Sequence, residues 1–156
     1  LGASVDLSVS GNTLAAGAPN YLRMPTTSNG AVFVFSRQLD AWSETAVVEP
    51  EEPSATFGRS VSLAWEGDLL LVGDPKVDDT TGRAWLFSAG GSGWTQRRML
   101  RAPNAGRDDQ LGACVALSGT GDLAAVGVPR DDAELPSLAE GADATGTVWV
   151  VPLPLE

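Results

Sequence analysis

The chain has no histidine and one cysteine, Cys114, in 156 residues. Without an imidazole there is no Ser-His or Cys-His nucleophile pair, and no zinc site of the mixed His/Cys kind. A single thiol closes no internal disulfide, so cysteine usage does not report the redox compartment. No apolar run reaches the roughly 18 residues of a membrane-spanning helix. No sustained 3.6-residue apolar stripe marks a long helix, and no glycine-rich phosphate loop is present. Positive charge is scarce: 10 Lys and Arg against 20 Asp and Glu leave a net charge of −10. Such a surface is a poor partner for nucleic acid, and the acidic groups read first as solubilising loop decoration.

What the sequence has is repetition. Leu1-Gly2-Ala3-Ser4-Val5-Asp6-Leu7 returns as Phe57-Gly58-Arg59-Ser60-Val61-Ser62-Leu63 and as Leu111-Gly112-Ala113-Cys114-Val115-Ala116-Leu117, at spacings of 56 and 54 residues. The alignment continues through Gly11-Asn12, Gly67-Asp68 and Gly121-Asp122. It then runs through Gly17-Ala18-Pro19, Gly73-Asp74-Pro75 and Gly127-Val128-Pro129. After a loop of changing length a glycine opens a second apolar run at Gly30, Gly82 and Gly146. Trp42 and Trp94 follow the first two of these by 12 residues. A period of this length describes one supersecondary unit that buries its apolar surface only by stacking on copies of itself.

Short runs rich in Val, Leu, Phe and Trp between turn residues predict strands. In the second unit these fall near Ser60–Ala64, Leu69–Gly73, Ala84–Ser88 and Trp94–Leu100. Gly67-Asp68 supplies a tight turn, and Pro75, which cannot donate to a ladder, ends the second strand. The two middle strands are apolar on both faces of the pleat and need cover on both. The fourth alternates and carries arginine, as suits an exposed edge. The expected architecture is therefore all-β: consecutive four-stranded antiparallel units, about 1–56, 57–110 and 111–156, stacked radially as β-propeller blades in one partial domain. The third unit ends before a fourth strand. Three units fall short of the about four to eight blades of a ring, so the remaining blades are expected from a longer polypeptide or from self-association. Gly73 and Gly127 are expected to be crowded by a neighbouring sheet.

The signature Phe/Leu-Gly-x-Ser-Val-x-Leu, Gly-Asn/Asp, Gly-Ala-Pro and Gly-x-Val-x-Val-Phe, followed by Trp, resembles the FG-GAP repeat over essentially the whole chain. That family builds propellers of bacterial and eukaryotic surface proteins and the head of integrin α chains. A kelch unit fits less well, because Gly90-Gly91 does not recur, and no Trp-Asp dipeptide closes a unit as in WD40 repeats. Some integrin-like blades carry a calcium loop resembling Asp-x-Asp-x-Asp-Gly between the first two strands. The matching segments here, such as Ala64-Trp65-Glu66-Gly67-Asp68, are short hairpins. They hold too few carboxylates for the about six to eight oxygen ligands of calcium. No metal and no cofactor are expected. Asp131 and Asp132 with Glu134, Glu140 and Asp143 form an acidic group without a ligand spacing.

The carboxylate pairs Asp78-Asp79, Asp108-Asp109 and Asp131-Asp132 are read as solvated loop acids, and no residue is assigned a catalytic role. In an antiparallel unit, the loop between strands two and three shares an end of the sheet with the connector to the next unit. These segments run Asn20–Asn29, Lys76–Thr81 and Arg130–Thr145, with connectors Glu49–Thr56 and Arg101–Gln110. Their unequal lengths mark that end as the functional one. Candidate partner-binding residues are Tyr21, Leu22, Arg23, Met24, Asp78, Asp79, Asp131, Asp132 and Glu134. Arg97, Arg98, Arg101 and Arg107 form a basic cluster, Trp65 a turn tryptophan packed on the neighbouring unit, and Trp42, Trp85, Trp94 and Trp149 repeated packing positions. The resemblance implies a non-enzymatic interaction scaffold, extracellular or at the cell surface, that binds a protein or a glycan as in adhesion. An accessory propeller of a larger surface enzyme and a structural subunit of a large assembly are the alternatives.

Overall fold

A computed structural model describes residues 1–22, 29–104, 106–131 and 146–153. The described chain forms eleven strands and no helix, so none is long and apolar enough to cross a membrane. In the first unit the strands are β1 (Ser4–Leu7), β2 (Thr13–Ala18), β3 (Ala31–Gln38) and β4 (Ala41–Val48). The second has β5 (Ser60–Leu63), β6 (Leu69–Asp74), β7 (Arg83–Gly90) and β8 (Gly93–Leu100), and the third β9 (Val115–Leu117), β10 (Leu123–Val128) and β11 (Thr147–Pro152). Each unit is an antiparallel meander in sequence order, giving sheets of four, four and three strands.

The units agree in detail. Each first hairpin closes with a backbone N–H donated across the turn: Ser8 to Thr13 at 2.9 Å, Ala64 to Leu69 at 3.0 Å and Ser118 to Leu123 at 2.9 Å. Gly11, Gly67 and Gly121 hold φ of 69°, 76° and 76° there, a region closed to most side chains and open to glycine. The pairing of β3 with β4 slips at Val34/Phe35, and that of β7 with β8 slips at the matching Leu86/Phe87. Each bulge leaves one outer-strand residue, Thr45 or Arg97, without a partner opposite, and increases the local twist.

Contact between sheets is extensive along the first strands, β1 on β5 and β5 on β9, and slight between the outer strands β4 and β8. The sheets do not close on one another. Between the first two, Ala15, Val32, Val34 and Val48 meet Phe57, Val61, Leu63, Leu70, Val72, Trp85 and Phe87. Between the second and third, Leu71, Ala84, Leu86 and Leu100 meet Leu111, Ala124, Val126 and Val128. Alternate residues of β6 and β7 thus enter different cores, which is why both strands are apolar on both faces. Residues of β4 are exposed except near its end. Trp42 is therefore exposed rather than packed: its counterpart Trp94 packs against the core shared with the preceding sheet, and no described sheet precedes that of Trp42. Trp85 is buried, and Trp94 and Trp149 are half-buried against the two cores.

The same polar joint recurs at both junctions. Ser4 Oγ donates to the Gly58 carbonyl at 3.0 Å, and Ser60 Oγ to the Gly112 carbonyl at 2.9 Å. Leu63 N–H donates to Asp6 Oδ2 at 2.7 Å, and Leu117 N–H to Ser62 Oγ at 3.0 Å. At the hairpin end, Ser10 N–H donates to the Trp65 carbonyl at 3.2 Å, and Trp65 N–H to that of Gly119 at 2.8 Å. A Cβ on Gly17 would collide with the Gly58 carbonyl oxygen, and one on Gly73 with that of Gly112. Gly127 is crowded as well, but by Cys114 of its own sheet: an added Cβ would overlap the thiol, an exposed group that can turn aside, and would meet no described atom of a neighbouring sheet. Asp122, in the β9–β10 hairpin, accepts from Ser118 Oγ at 2.6 Å and Thr120 Oγ1 at 2.5 Å. The Ser118 bond foremost, then that of Thr120, holds its carboxyl below the ordinary value.

Two outcomes follow from these contacts. Gly73→Ala should lower the unfolding free energy by ~1–3 kcal/mol, because carbonyl and Cβ cannot share the space, while Gly127→Ala should change it by less than ~1 kcal/mol; urea midpoints at constant slope would measure both. Asp122, with its folded pKa depressed, stabilises the fold above its unfolded pKa and loses that contribution as pH falls through the folded value. Asp122→Asn should therefore flatten the acid limb of a stability-versus-pH curve, and an unchanged limb would show the hairpin bonds to be without consequence.

Candidate functional site

The meander order puts the β2–β3, β6–β7 and β10–β11 loops at the same end as the connectors between sheets, and hydrogen bonds tie them together there. Asn20 N–H donates to the Ala55 carbonyl at 2.7 Å, joining the first loop to the first connector. Gln110 N–H donates to the Thr80 carbonyl and Leu111 N–H to that of Thr81, both at 2.9 Å, joining the second loop to the second connector. Arg130 N–H donates to the Asp109 carbonyl at 3.2 Å, so that connector also touches the start of the third loop. The opposite end carries the short, uniform hairpins.

The middle sheet supplies most of the described chemistry at the loop end. Asp74, the last residue of β6, is fully buried. Its Oδ1 accepts from Ser54 Oγ at 2.5 Å and Thr56 Oγ1 at 2.6 Å, both on the connector, while its Oδ2 has no protein partner. Next to it in register, Arg83 opens β7. The buried guanidinium donates to Glu52 Oε2 at 2.5 Å and Asp78 Oδ1 at 2.8 Å, and lies 5.0 Å from the Trp85 ring. Arg101 reaches the other oxygen of Asp78 at 2.7 Å. Asp78 therefore bridges two arginines from β7 and the following connector. Both charge-assisted bonds and ring stacking suit a planar guanidinium in a partly dry site.

The loop itself is held in an uncommon conformation. Asp78, Asp79 and Thr80 have φ of 52°, 55° and 65° in succession, and across from them Asp108 and Gln110 have φ of 69° and 60°. Asp and Asn tolerate the left-handed region, but a β-branched Thr there is strained. The bonds from Gln110 and Leu111, and a hydrogen bond from Thr80 Oγ1 to Asp108, over-determine the shape. The result is a fixed rim on which Asp79 and Asp108 are exposed. Nearby, Asp109 is buried, with one oxygen accepting from Gly106 N–H at 2.5 Å and the other without a protein partner.

The residues anticipated from the sequence are distributed unevenly over this end. Tyr21 stacks edge-on against Phe33 at 5.2 Å, folded onto its own sheet, while Leu22 beside it is exposed. Asp78 is occupied by the two arginines, and Asp79 is free to face solvent. Asp131 is buried and accepts from Thr147 Oγ1 at 2.6 Å, so it braces the start of β11. Arg23, Met24, Asp132, Glu134, Glu140 and Asp143 lie outside the described residues. Among the described residues no three His, Cys, Asp or Glu side chains converge as metal ligands. The arginine cluster is not one patch: Arg97 binds Ser88 Oγ at 2.6 Å, Arg98 reaches the Pro152 carbonyl at 3.4 Å, and Arg101 joins Asp78. Trp65 lies against Gly119 of the next sheet as expected, yet more than half of it remains exposed.

Arg83 and Asp74 were the residues missed. The signal was present in the repeat: Asp74 stands where the other units have Ala18 and Val128, and Arg83 where they have Ala31 and Thr147. Two charged departures at adjacent register positions of one unit mark a local polar joint. No protein-family model matches the chain, and no curated protein is significantly similar to it.

Arg83→Ala should destabilise by ~2–4 kcal/mol, since it removes packing on Trp85 and leaves Asp78 short of a partner. Glu52→Gln, at an exposed partner, should cost less than ~1 kcal/mol. Equal losses measured by denaturant unfolding would contradict the unequal burial of the two groups.

Proposed function

We propose that the three sheets are successive blades of a β-propeller of FG-GAP type, and that the molecule is a non-enzymatic interaction scaffold. It would bind a protein or a glycan through the loop end, outside the cell or at its surface. The propeller reading is supported by sheet contacts that are extensive at the first strands and slight at the fourth, the wedge expected of blades around an axis. It is also supported by the identical joint at both junctions. The FG-GAP reading is supported by the aligned residue pattern, which covers all three units.

One observation carries the binding reading. Loops of unequal length and connectors are hydrogen-bonded into one end, where Leu22 is exposed and Asp79 and Asp108 are exposed on a fixed rim. The other end repeats one short turn. Binding groups placed on loops that a rigid scaffold holds in position are the common arrangement. Exposed carboxylates suit hydrogen bonding to sugar hydroxyls or to the basic groups of a protein.

The test is binding of the purified chain to panels of extracellular glycoproteins and glycans, followed by substitution of both ends. Leu22→Ala and Asp79→Ala should weaken a bound ligand by about tenfold or more, equivalent to about 1.4 kcal/mol, with folding unchanged. Val9→Ser and Glu66→Ala, at the hairpin end, should leave affinity within about twofold. Loss of binding confined to the hairpin variants, or no binding to either ligand class, would overturn the assignment.

A further inference from the structure

The end of the molecule away from the long loops is built from three matching turns, residues 8–12, 64–68 and 118–122. The second position of each turn carries a different residue: Val9, Trp65 and Gly119. Backbone hydrogen bonds link the turns from sheet to sheet. Ser10 N–H donates to the Trp65 carbonyl at 3.2 Å, and Trp65 N–H to the Gly119 carbonyl at 2.8 Å. The main chain of Trp65 is thus held from both sides, with a described sheet on each flank. Its exposure owes nothing to where the row of sheets stops.

The indole spends little of its surface on packing. A Cβ on Gly119 would stand 3.2 Å from Trp65 Cε3, so one edge of the ring lies along the next turn, where glycine leaves room for it. Yet Trp65 is 55% exposed, whereas Trp85 of the same sheet is 2% exposed. Burial is the usual gain from a large aromatic at a sheet junction. Here a pinned main chain offers most of the residue to solvent instead.

The charged groups of these turns are all of one sign. Glu66 and Asp68 complete the turn of Trp65, and both are exposed. Asp122 closes the turn that contains Gly119. Its Oδ1 accepts from Ser118 Oγ and Thr120 Oγ1, the two residues that flank that glycine. The Ser118 bond, then that of Thr120, holds the carboxyl below its ordinary value and so ionised at neutral pH. No lysine or arginine occurs in any of the three turns. The face of an indole attracts cations, and carboxylates beside it add charge-assisted hydrogen bonds. A neutral sugar asks for donors as well as acceptors, and the hydroxyls beside the ring are already engaged with Asp122.

We propose that Trp65, with Glu66, Asp68 and Asp122 around it, is a docking site for a basic segment of a partner protein, a lysine or arginine side chain lying on the indole face with its charge shared among the carboxylates of the two turns. The site lies at the opposite end from the long loops and does not rest on what those loops bind.

The probe is a four-lysine peptide with blocked ends, titrated at low ionic strength into the whole isotope-labelled chain while its indole and amide N–H signals are followed by NMR. The indole signal absent from the Trp65→Leu spectrum should shift to saturation, and the same peptide with acetylated lysines should leave it unmoved. Trp65→Leu keeps apolar bulk without the ring and should weaken binding, read from the amides of the same turns, by about fivefold, while Trp65→Phe should stay within about twofold. Glu66→Gln and Asp122→Asn should each weaken it about twofold. Glu51→Gln, the same charge change on the exposed connector at the other end, should leave it unaltered. Circular dichroism should be the same for every variant. Equal losses from Glu51→Gln and Glu66→Gln would reduce the effect to general attraction by a chain of net charge −10 and overturn the site. Undiminished binding by Trp65→Leu, or an equal response to the acetylated peptide, would also overturn it.

Discussion

The structure depends on the approach of one carbonyl to one glycine. Where the Gly58 oxygen rests on Gly17, and the Gly112 oxygen on Gly73, there is no room for a single carbon atom. That contact sets how near consecutive sheets stand at their first strands. Phe57 and Leu111, each one residue ahead, are then carried into the apolar space between sheets, where full burial of such a side chain is worth ~1.5–3 kcal/mol. A strand glycine costs ~0.5–1 kcal/mol relative to alanine. At Gly17 and Gly73 the packing it permits is larger than the cost.

The same contact explains how much could be read from the sequence. The first glycine-bearing turn, the hairpin glycine and the Gly-x-Pro are each fixed by a local backbone need, so they recur visibly, and the strand limits of the second unit, β5 to β8, agree with those expected to within a residue or two. Properties that depend on what lies opposite were not legible. Trp42 and Trp94 occupy one repeat position, yet Trp42 is exposed on β4 and Trp94 packs against the first core. Likewise Arg97, Arg98 and Arg101 look like one patch when written in a line. Strand pleat, a bulge and a connector send them to Ser88, Pro152 and Asp78. Linear proximity of charge on a strand carries little information about spatial proximity.

The middle unit shows how the loop end acquires polar character without disturbing the scaffold. Asp74 ends β6 and Arg83 opens β7, at paired positions where the outer units carry the uncharged Ala18, Val128, Ala31 and Thr147. Their partners Ser54, Thr56, Glu52 and Asp78 all come from the connector and the adjoining loop. The polar bonds thus fasten variable segments to the sheet and leave the apolar joint between sheets untouched. Asp79 and Asp108 remain outward on the fixed rim that results. A ligand meeting those carboxylates would find them already placed and would lose less in ordering them than it would with a slack loop.

The distribution of exposed apolar side chains completes the argument. On most soluble proteins such residues are scattered singly. Here Leu1, Val5 and Leu7 gather on the outward face of the first sheet, and Val148 and Val150 on that of the third. Each set repeats, position for position, residues that are covered at an internal junction. Their exposure is therefore a consequence of periodicity and not of poor packing: the repeat specifies two unlike faces, and every face inside the row meets its complement. A row of units whose two end faces differ has a direction, which identical end faces would not give it. A unit following the third sheet would present its glycine carbonyl to Gly127, as Gly58 and Gly112 present theirs to Gly17 and Gly73, and a unit preceding the first would present its strand glycine to the Leu1-Gly2 turn.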